Sequence, residues 1–263
     1  MTANARQLSP REVAREIWTV YRQRWAFLFV AAIVVLLPQT VADAFLEGGF
    51  HLDHVRTAAD AATAGLALLT AAVNLMGQAV YAGLTAAAVV DWRAGQPLPP
   101  LSRLLRSLPI GRLVLLDIVV TVGAAIGFVL LVVPALIFLT YVAPSAPIMK
   151  LEHLGVQESL SRSIQLVRGQ AKRVFVIVGV TILITEVAVQ LIILPLHGTL
   201  LLVAAGIAAE AVLQPFEGLA VALVAIHLLE LRGEAPAPSE MARALVPDPP
   251  DEKKTGRPPR TAR

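Results

Sequence analysis

The chain has no cysteine among its 263 residues, so a disulfide framework, a thiolate nucleophile and a zinc knuckle are all excluded. It is also poor in charge. Asp, Glu, Lys and Arg make up 16% of the sequence, whereas a soluble globule carries about a quarter to cover its surface. Hydrophobic residues reach 56%, the mean hydropathy is +0.70, and the charges are gathered so that long uncharged runs lie between them. These deficits exclude an ordinary soluble domain. Signatures of catalysis are missing as well: there is no G-x-S-x-G, no Walker loop and no H-E-x-x-H.

What is present is a series of apolar runs. In lipid every backbone polar group must be satisfied within the segment, so a run of about 20 apolar residues reads as a spanning helix. Six such runs follow one another, at about 25–46, 61–90, 113–131, 134–149, 174–196 and 200–231. The expected fold is therefore all-α, a polytopic membrane bundle of six transmembrane helices. The second run is roughly 45 Å long at ~1.5 Å per residue, more than a ~30 Å hydrocarbon core, so it must tilt or project. Leu113 to Met149 is too long for one helix and suits two short ones, with Pro134 in the first turn of the second.

Orientation follows from Lys and Arg. With both termini cytoplasmic, the inner segments 1–24, 91–112, 150–173 and 232–263 hold 21 of the 22 basic residues, and Arg56 alone is outside. Trp18, Trp25 and Trp92 fall near the same inner face, while Glu47, Asp53 and Asp60 lie at the outer one. Five spans would put the basic tail outside, so the asymmetry supports an even count. Ala42-Asp43-Ala44 has the form of a signal-peptide cleavage site. The 24 residues before the run, and its length, argue instead for a retained first span. The expected location is a bacterial cytoplasmic membrane.

Short amphipathic segments precede spans one, three and five. Ser9-Pro10-Arg11-Glu12 opens the first with a serine cap, a first-turn proline and an acid at the capping-box position. Val13, Ile17, Val20 and Tyr21 then share one face. Leu101 to Leu108 forms the second, and Val156 to Arg168 the third, with Val156, Leu160, Ile164 and Val167 on one stripe. Each is expected to lie in the inner headgroup layer, so the chain reads as three units of interfacial helix plus two-span hairpin. Residues 233–263 form a Pro-rich tail expected to be disordered. Its Lys253–Arg263 end is basic and free of acids, able to meet anionic lipid but lacking the interleaved aromatics that nucleic acid would require.

The stretch from Ala143 to Val174 reads APSAPIMKLEHLGVQESLSRSIQLVRGQAKRV. Glu152, Gly155, Leu160, Arg162, Ser163, Leu166, Arg168, Gly169 and Arg173, with the later ending Leu229-Glu230-Leu231-Arg232, resemble the membrane-domain family of bacterial glycerophosphoryl diester phosphodiesterases. There a Pro-containing span end leads to a Glu, a helix of the form A-L-x-x-S-x-x-L-x-x-G, and then Trp/Arg. Ile164 and Lys172 depart, standing where the family tends to have tryptophan. The resemblance implies six spans and a non-catalytic module. The phosphodiesterase barrel of the fused members is not expected, since neither a His-Arg pair followed by Glu-Asn nor a soluble stretch of barrel length is present.

Polar residues inside the spans are the remaining signal. Glu186 and Gln190 share a face of span five; Glu210, Gln214 and Glu217 share one in span six; Asn74 and Gln78 lie in span two. Helical rise puts Glu186 and Glu210 both near mid-bilayer, and no Lys or Arg in any span neutralises them. A charge there costs at least about 2.5–3.5 kcal/mol, so each carboxyl must be protonated, hold a cation or face water. One reading is a proton or cation site in a transport path; the other is hydrogen-bonded glue between helices. Asp117 reads as structural, snorkelling to the inner edge. Gly123-x-x-x-Gly127 and Ala79-x-x-x-Gly83-x-x-x-Ala87 read as close helix packing in preference to dimerisation. His51, Asp53 and His54 fall short of a metal site, and His197 and His227 sit at span ends.

The sequence thus points first to a non-catalytic membrane scaffold or accessory module, and second to a small proton- or cation-coupled carrier using Glu186 and Glu210. No metal or cofactor is expected. The expected partners are the bilayer, anionic lipid at the inner face, and a membrane protein or a second copy of the chain.

Overall fold

The computed structural model describes residues 8–47, 77–130, 132–195 and 199–237. Asn74, the outer-loop residues His51, Asp53 and His54, the first part of the second run (61–76), His197 and the tail beyond 237 lie outside them. Among the described residues all regular structure is helical. The elements are α1 (Pro10–Glu47), α2 (77–93), α3 (Leu101–Arg106), α4 (Ile110–Leu130), α5 (Val132–Val142), α6 (Ser145–Glu152), α7 (Val156–Val167), α8 (Ala171–Ile193) and α9 (Thr199–Leu231).

Local chemistry sets the boundaries. The Ser9 carbonyl accepts the Val13 N–H at 3.1 Å, and its hydroxyl lies 3.5 Å from the Glu12 N–H, so α1 starts at the expected cap. Its helical conformation fails at Arg24 (φ −127°, ψ 17°), at the step from the charged segment to the first apolar run. Pro134 falls in the first turn of α5, where its missing N–H has no helical partner to lose. The run expected at 134–149 does not stay one helix: α5 ends at Val142, Ala143-Pro144 make a turn, and α6 begins at Ser145. Proline disfavours helical geometry in the residue before it, which accounts for the break. Pro215 by contrast lies within a continuous α9. It removes the donor that the Ala211 carbonyl would have used, and one residue on, the Tyr21 hydroxyl donates to the Val212 carbonyl at 3.3 Å.

Helix α9 is the axis of the bundle. It packs along both α1 and α8, while α4 and α5 form a hairpin beside them. Leu219, Leu223 and Ile226 are buried there with Val13, Ile17 and Val20 of α1 and Val174 and Ile177 of α8. A second core joins Tyr81 and Leu84 of α2 to Leu113, Leu116 and Met149.

This packing corrects the expected use of the amphipathic segments. The face formed by Val13, Ile17 and Val20 turns into the protein, and Tyr21 stacks on Phe216 at 4.3 Å between ring centroids. In α3 it is Leu104 that is buried. In α7 the buried residues are Ser159, Ser163, Leu166 and Val167, a stripe rotated from the expected Val156, Leu160, Ile164, Val167. Serines fit inside because their hydroxyls are satisfied: Ser159 donates to the Val156 carbonyl at 2.8 Å and Ser163 to the Tyr141 carbonyl at 2.7 Å. The expected apolar face of α1 is therefore covered by other helices, and that of α7 is half-buried.

The outside of the bundle is hydrocarbon. Leu183, Ile184 and Leu191 of α8 are each more than 60% exposed. Among the described residues three stretches are long and apolar enough to cross a bilayer: Val133–Glu152 (taking in the α5–α6 step), Ala171–Ile193 and Ala204–Leu231. These are the helices of a membrane protein.

The small-residue stripes are used within the chain. A Cβ on Gly127 would come within 2.9 Å of the Ala135 Cα, and one on Gly123 within 2.6 Å of the Phe138 ring. Ala79 and Ala87 are buried, and Gly83 faces Leu108 and Leu113. Backbone cannot yield as a side-chain tip can, so Gly127→Ala is expected to destabilise the bundle by about 1–3 kcal/mol. Gly206→Ala, which meets nothing within 4 Å, is the matched control. Thermal unfolding of the two variants in one detergent checks the contrast.

Candidate functional site

Two arginine clamps close the basic end of the bundle. Arg93, the last residue of α2, places Nε 2.6 Å and Nη2 2.7 Å from the two Glu16 carboxylate oxygens of α1, and Nη1 2.6 Å from Glu230 of α9. One guanidinium therefore joins three helices, using the fork geometry that a lysine lacks. His227 stands alongside, its Nδ1 2.9 Å from the Leu223 carbonyl and its Nε2 3.5 Å from Glu16. Burial pulls the Arg93 pKa down, but the hydrogen bonds and charges of Glu16 and Glu230 outweigh it and leave the group raised. A raised basic pKa gives stability that is complete at lower pH and lost only above the ordinary arginine range. Arg93 itself thus adds no pH dependence near neutrality.

The second clamp is built from the motif stretch. Arg162 of α7 holds both Glu152 oxygens at 3.1 Å and also pairs with Glu234 beyond α9. The Glu158 carboxylate accepts the Gly155 N–H at 2.9 Å, Gly169 takes the positive φ (85°) that turns α7 into α8, and Arg173 donates to Gln170 at 2.8 Å. Arg168 is exposed. The motif residues thus form a structural joint from α6 through α7 to α8.

The intramembrane polar residues divide differently from the sequence expectation. Thr185 of α8 donates to the Glu217 carboxyl of α9. That bond sets the register, so Glu217, and not Glu210, lies opposite the Thr185–Glu186 level. Glu210 is seven residues, about 10 Å, farther along the axis. Gln190 donates to Glu186 at 3.3 Å, and Gln214 is half-buried.

Glu186 and Gln78 instead meet at a cavity of about 670 Å³ between α2, α4, α5, α6 and α8. Asp117 of α4 is there too. Helix α4 starts at Ile110 and not at 113, which puts Asp117 two turns into the helix and away from the inner edge expected for it. Among the described residues its buried Oδ2 has no hydrogen-bond partner. Arg93 was equally hidden, since an arginine at a span end reads as part of the inner charge bias. Its being forked between two distant glutamates is visible only in three dimensions.

No family model, curated protein or solved structure matches this chain.

Removing the first clamp leaves two carboxylates facing each other at the bundle end. Arg93→Ala is expected to cost about 1.5–3 kcal/mol, the usual worth of hydrogen bonds to charged groups. Arg93→Lys should recover only part of it. Thermal unfolding in detergent measures both, and equal stability of the lysine variant and the parent would contradict the three-helix clamp.

Proposed function

We propose that this chain is a non-catalytic, multi-pass module of a bacterial cytoplasmic membrane, with six spans and both termini in the cytoplasm, that acts as a scaffold or accessory to other membrane components. The observation that carries the reading is the clamped basic end. One clamp ties α1, α2 and α9 and the other ties α6, α7 and the residues after α9; on this reading the two together form a cytoplasm-facing platform. The resemblance of residues 143–174 to the phosphodiesterase membrane-domain family supports the same reading, because Glu152, Gly155, Arg162, Ser163 and Gly169 all have structural duties in that platform. The exposed Arg168 and Lys172, with the basic tail, suit contact with anionic lipid.

The absence of cysteine makes the topology directly testable, since each introduced thiol is the only one. Ser161→Cys, on the exposed face of α7, is expected to resist a membrane-impermeant maleimide in spheroplasts and to react in inverted vesicles. Asp53→Cys is expected to do the reverse. The same sidedness for both positions would overturn the six-span arrangement.

A carrier coupled to protons or cations is the second reading, favoured by one observation, the cavity that reaches Glu186 and Gln78. It requires a carboxyl that titrates inside the bundle. On this reading, a hydrophobic carbodiimide labels Glu186 in a manner that fades with rising pH or with added cation, and Glu186→Gln abolishes that labelling while Glu210→Gln leaves it in place. Labelling indifferent to both pH and cation removes the carrier reading and leaves the scaffold.

A further inference from the structure

The cavity has a chemistry that neither the scaffold reading nor the carrier reading assigns. Its volume, about 670 Å³, falls in the middle of the range of small-molecule sites, which run from roughly 300 to 1,000 Å³. Its walls are mostly aliphatic and aromatic, with Leu116, Leu136, Phe175 and Ile182 among them, and it opens onto the outside of the bundle, where Phe175 and Ile182 are half-exposed. The hydroxyls on the wall need no guest, because Thr140 donates to the Leu136 carbonyl at 2.7 Å and Ser145 to that of Val142 at 2.5 Å.

The other polar wall groups are Gln78, Asp117 and Glu186. Among the described residues Asp117 keeps one buried oxygen without a hydrogen bond, and Glu186 accepts a long bond from Gln190. Among the described residues no Lys, Arg or His lines the cavity, and both titratable wall groups are acids. An anionic head group, whether a phosphate or a fatty-acid carboxylate, would meet two acids and no counter-charge. An inorganic cation would satisfy a carboxyl but make no use of the apolar wall.

We propose that this cavity binds a lipophilic cation, an apolar body against the α4, α5 and α8 side chains with its positive centre held by Asp117 and Glu186. The inference goes beyond the scaffold reading and does not require transport, since occupancy alone would satisfy it. A carboxylate and an onium centre brought together out of water attract more strongly than in solution, and the guest removes apolar wall from contact with anything less well matched.

Three rigid probes of similar shape and different charge test it: tetraphenylphosphonium, neutral triphenylphosphine oxide and tetraphenylborate. Each is titrated against the full-length protein in nanodiscs, with empty nanodiscs subtracted. Saturable binding of tetraphenylphosphonium alone is expected, weakened about tenfold or more by Asp117→Asn or Glu186→Gln, both near-isosteric. Gly179→Leu, which fills the wall from α8, should weaken it as well. Equal binding of the neutral probe or of tetraphenylborate, or binding unaffected by both acid variants, would overturn the charge assignment while leaving an apolar site. Failure of all three probes in a monodisperse protein would overturn the site itself. None of these results bears on the sidedness labelling that tests the scaffold topology, so the two readings fail separately.

Discussion

Within a hydrocarbon slab a hydroxyl or amide has no water to fall back on, and the interior of this bundle is arranged around that constraint. Thr85 of α2 donates to the Tyr81 and Ala82 carbonyls of its own helix, and its hydroxyl also lies 3.3 Å from the Gly218 carbonyl of α9. Tyr81 donates to the Leu28 carbonyl at 3.1 Å, and Thr181 to that of Ile177 at 2.8 Å. The bonds from Tyr81 to Leu28 and from Thr85 to Gly218 stitch α1, α2 and α9 at the level where Gly218 lets the Tyr81 ring come close, a Cβ there meeting the ring at 2.6 Å. The packing of small against large residues and the satisfaction of polar groups are one arrangement, because close approach is what brings each donor within reach of a neighbouring carbonyl.

The same constraint accounts for the division of labour along the bundle axis. Ionised pairs sit at the basic end, where Arg93 and Arg162 each hold two carboxylates while partly open to solvent. Deeper in, the pairing is between carboxyl and hydroxyl or amide, as at Glu217 with Thr185 and Glu186 with Gln190. A charge pair is affordable where water still reaches it and expensive where it does not. Among the described residues the Asp117 oxygen has no partner and stands out against this pattern.

Much of the architecture was legible in one dimension. The Ser9-Pro10 start of α1 and the location of α7 to α9 follow from caps, prolines and apolar run lengths, signals that act over a few residues. The break at Ala143-Pro144 was not anticipated, although proline chemistry explains it. The rotation of the α7 stripe onto Ser159 and Ser163 was beyond reach, because hydropathy ranks a serine as outward and cannot know that the Tyr141 carbonyl waits for it. The amphipathic segments show the same limit: an apolar stripe reads alike whether it will meet lipid or another helix.

Composition and charge placement by themselves determined the helical class, the apolar exterior and the bias of basic residues to one end, since each depends on how single residues partition between water and hydrocarbon. Which polar groups meet was decided only by tertiary structure. Glu217 took the position opposite Thr185 that helical rise alone had given to Glu210, Arg93 spanned Glu16 and Glu230 across most of the chain length, and Asp117 turned from an edge residue into a cavity wall. Partition is a property of one residue and its surroundings on average. Register between helices is a property of pairs, set by the tilt, kinks and close approaches of whole elements, and no local pattern carries it.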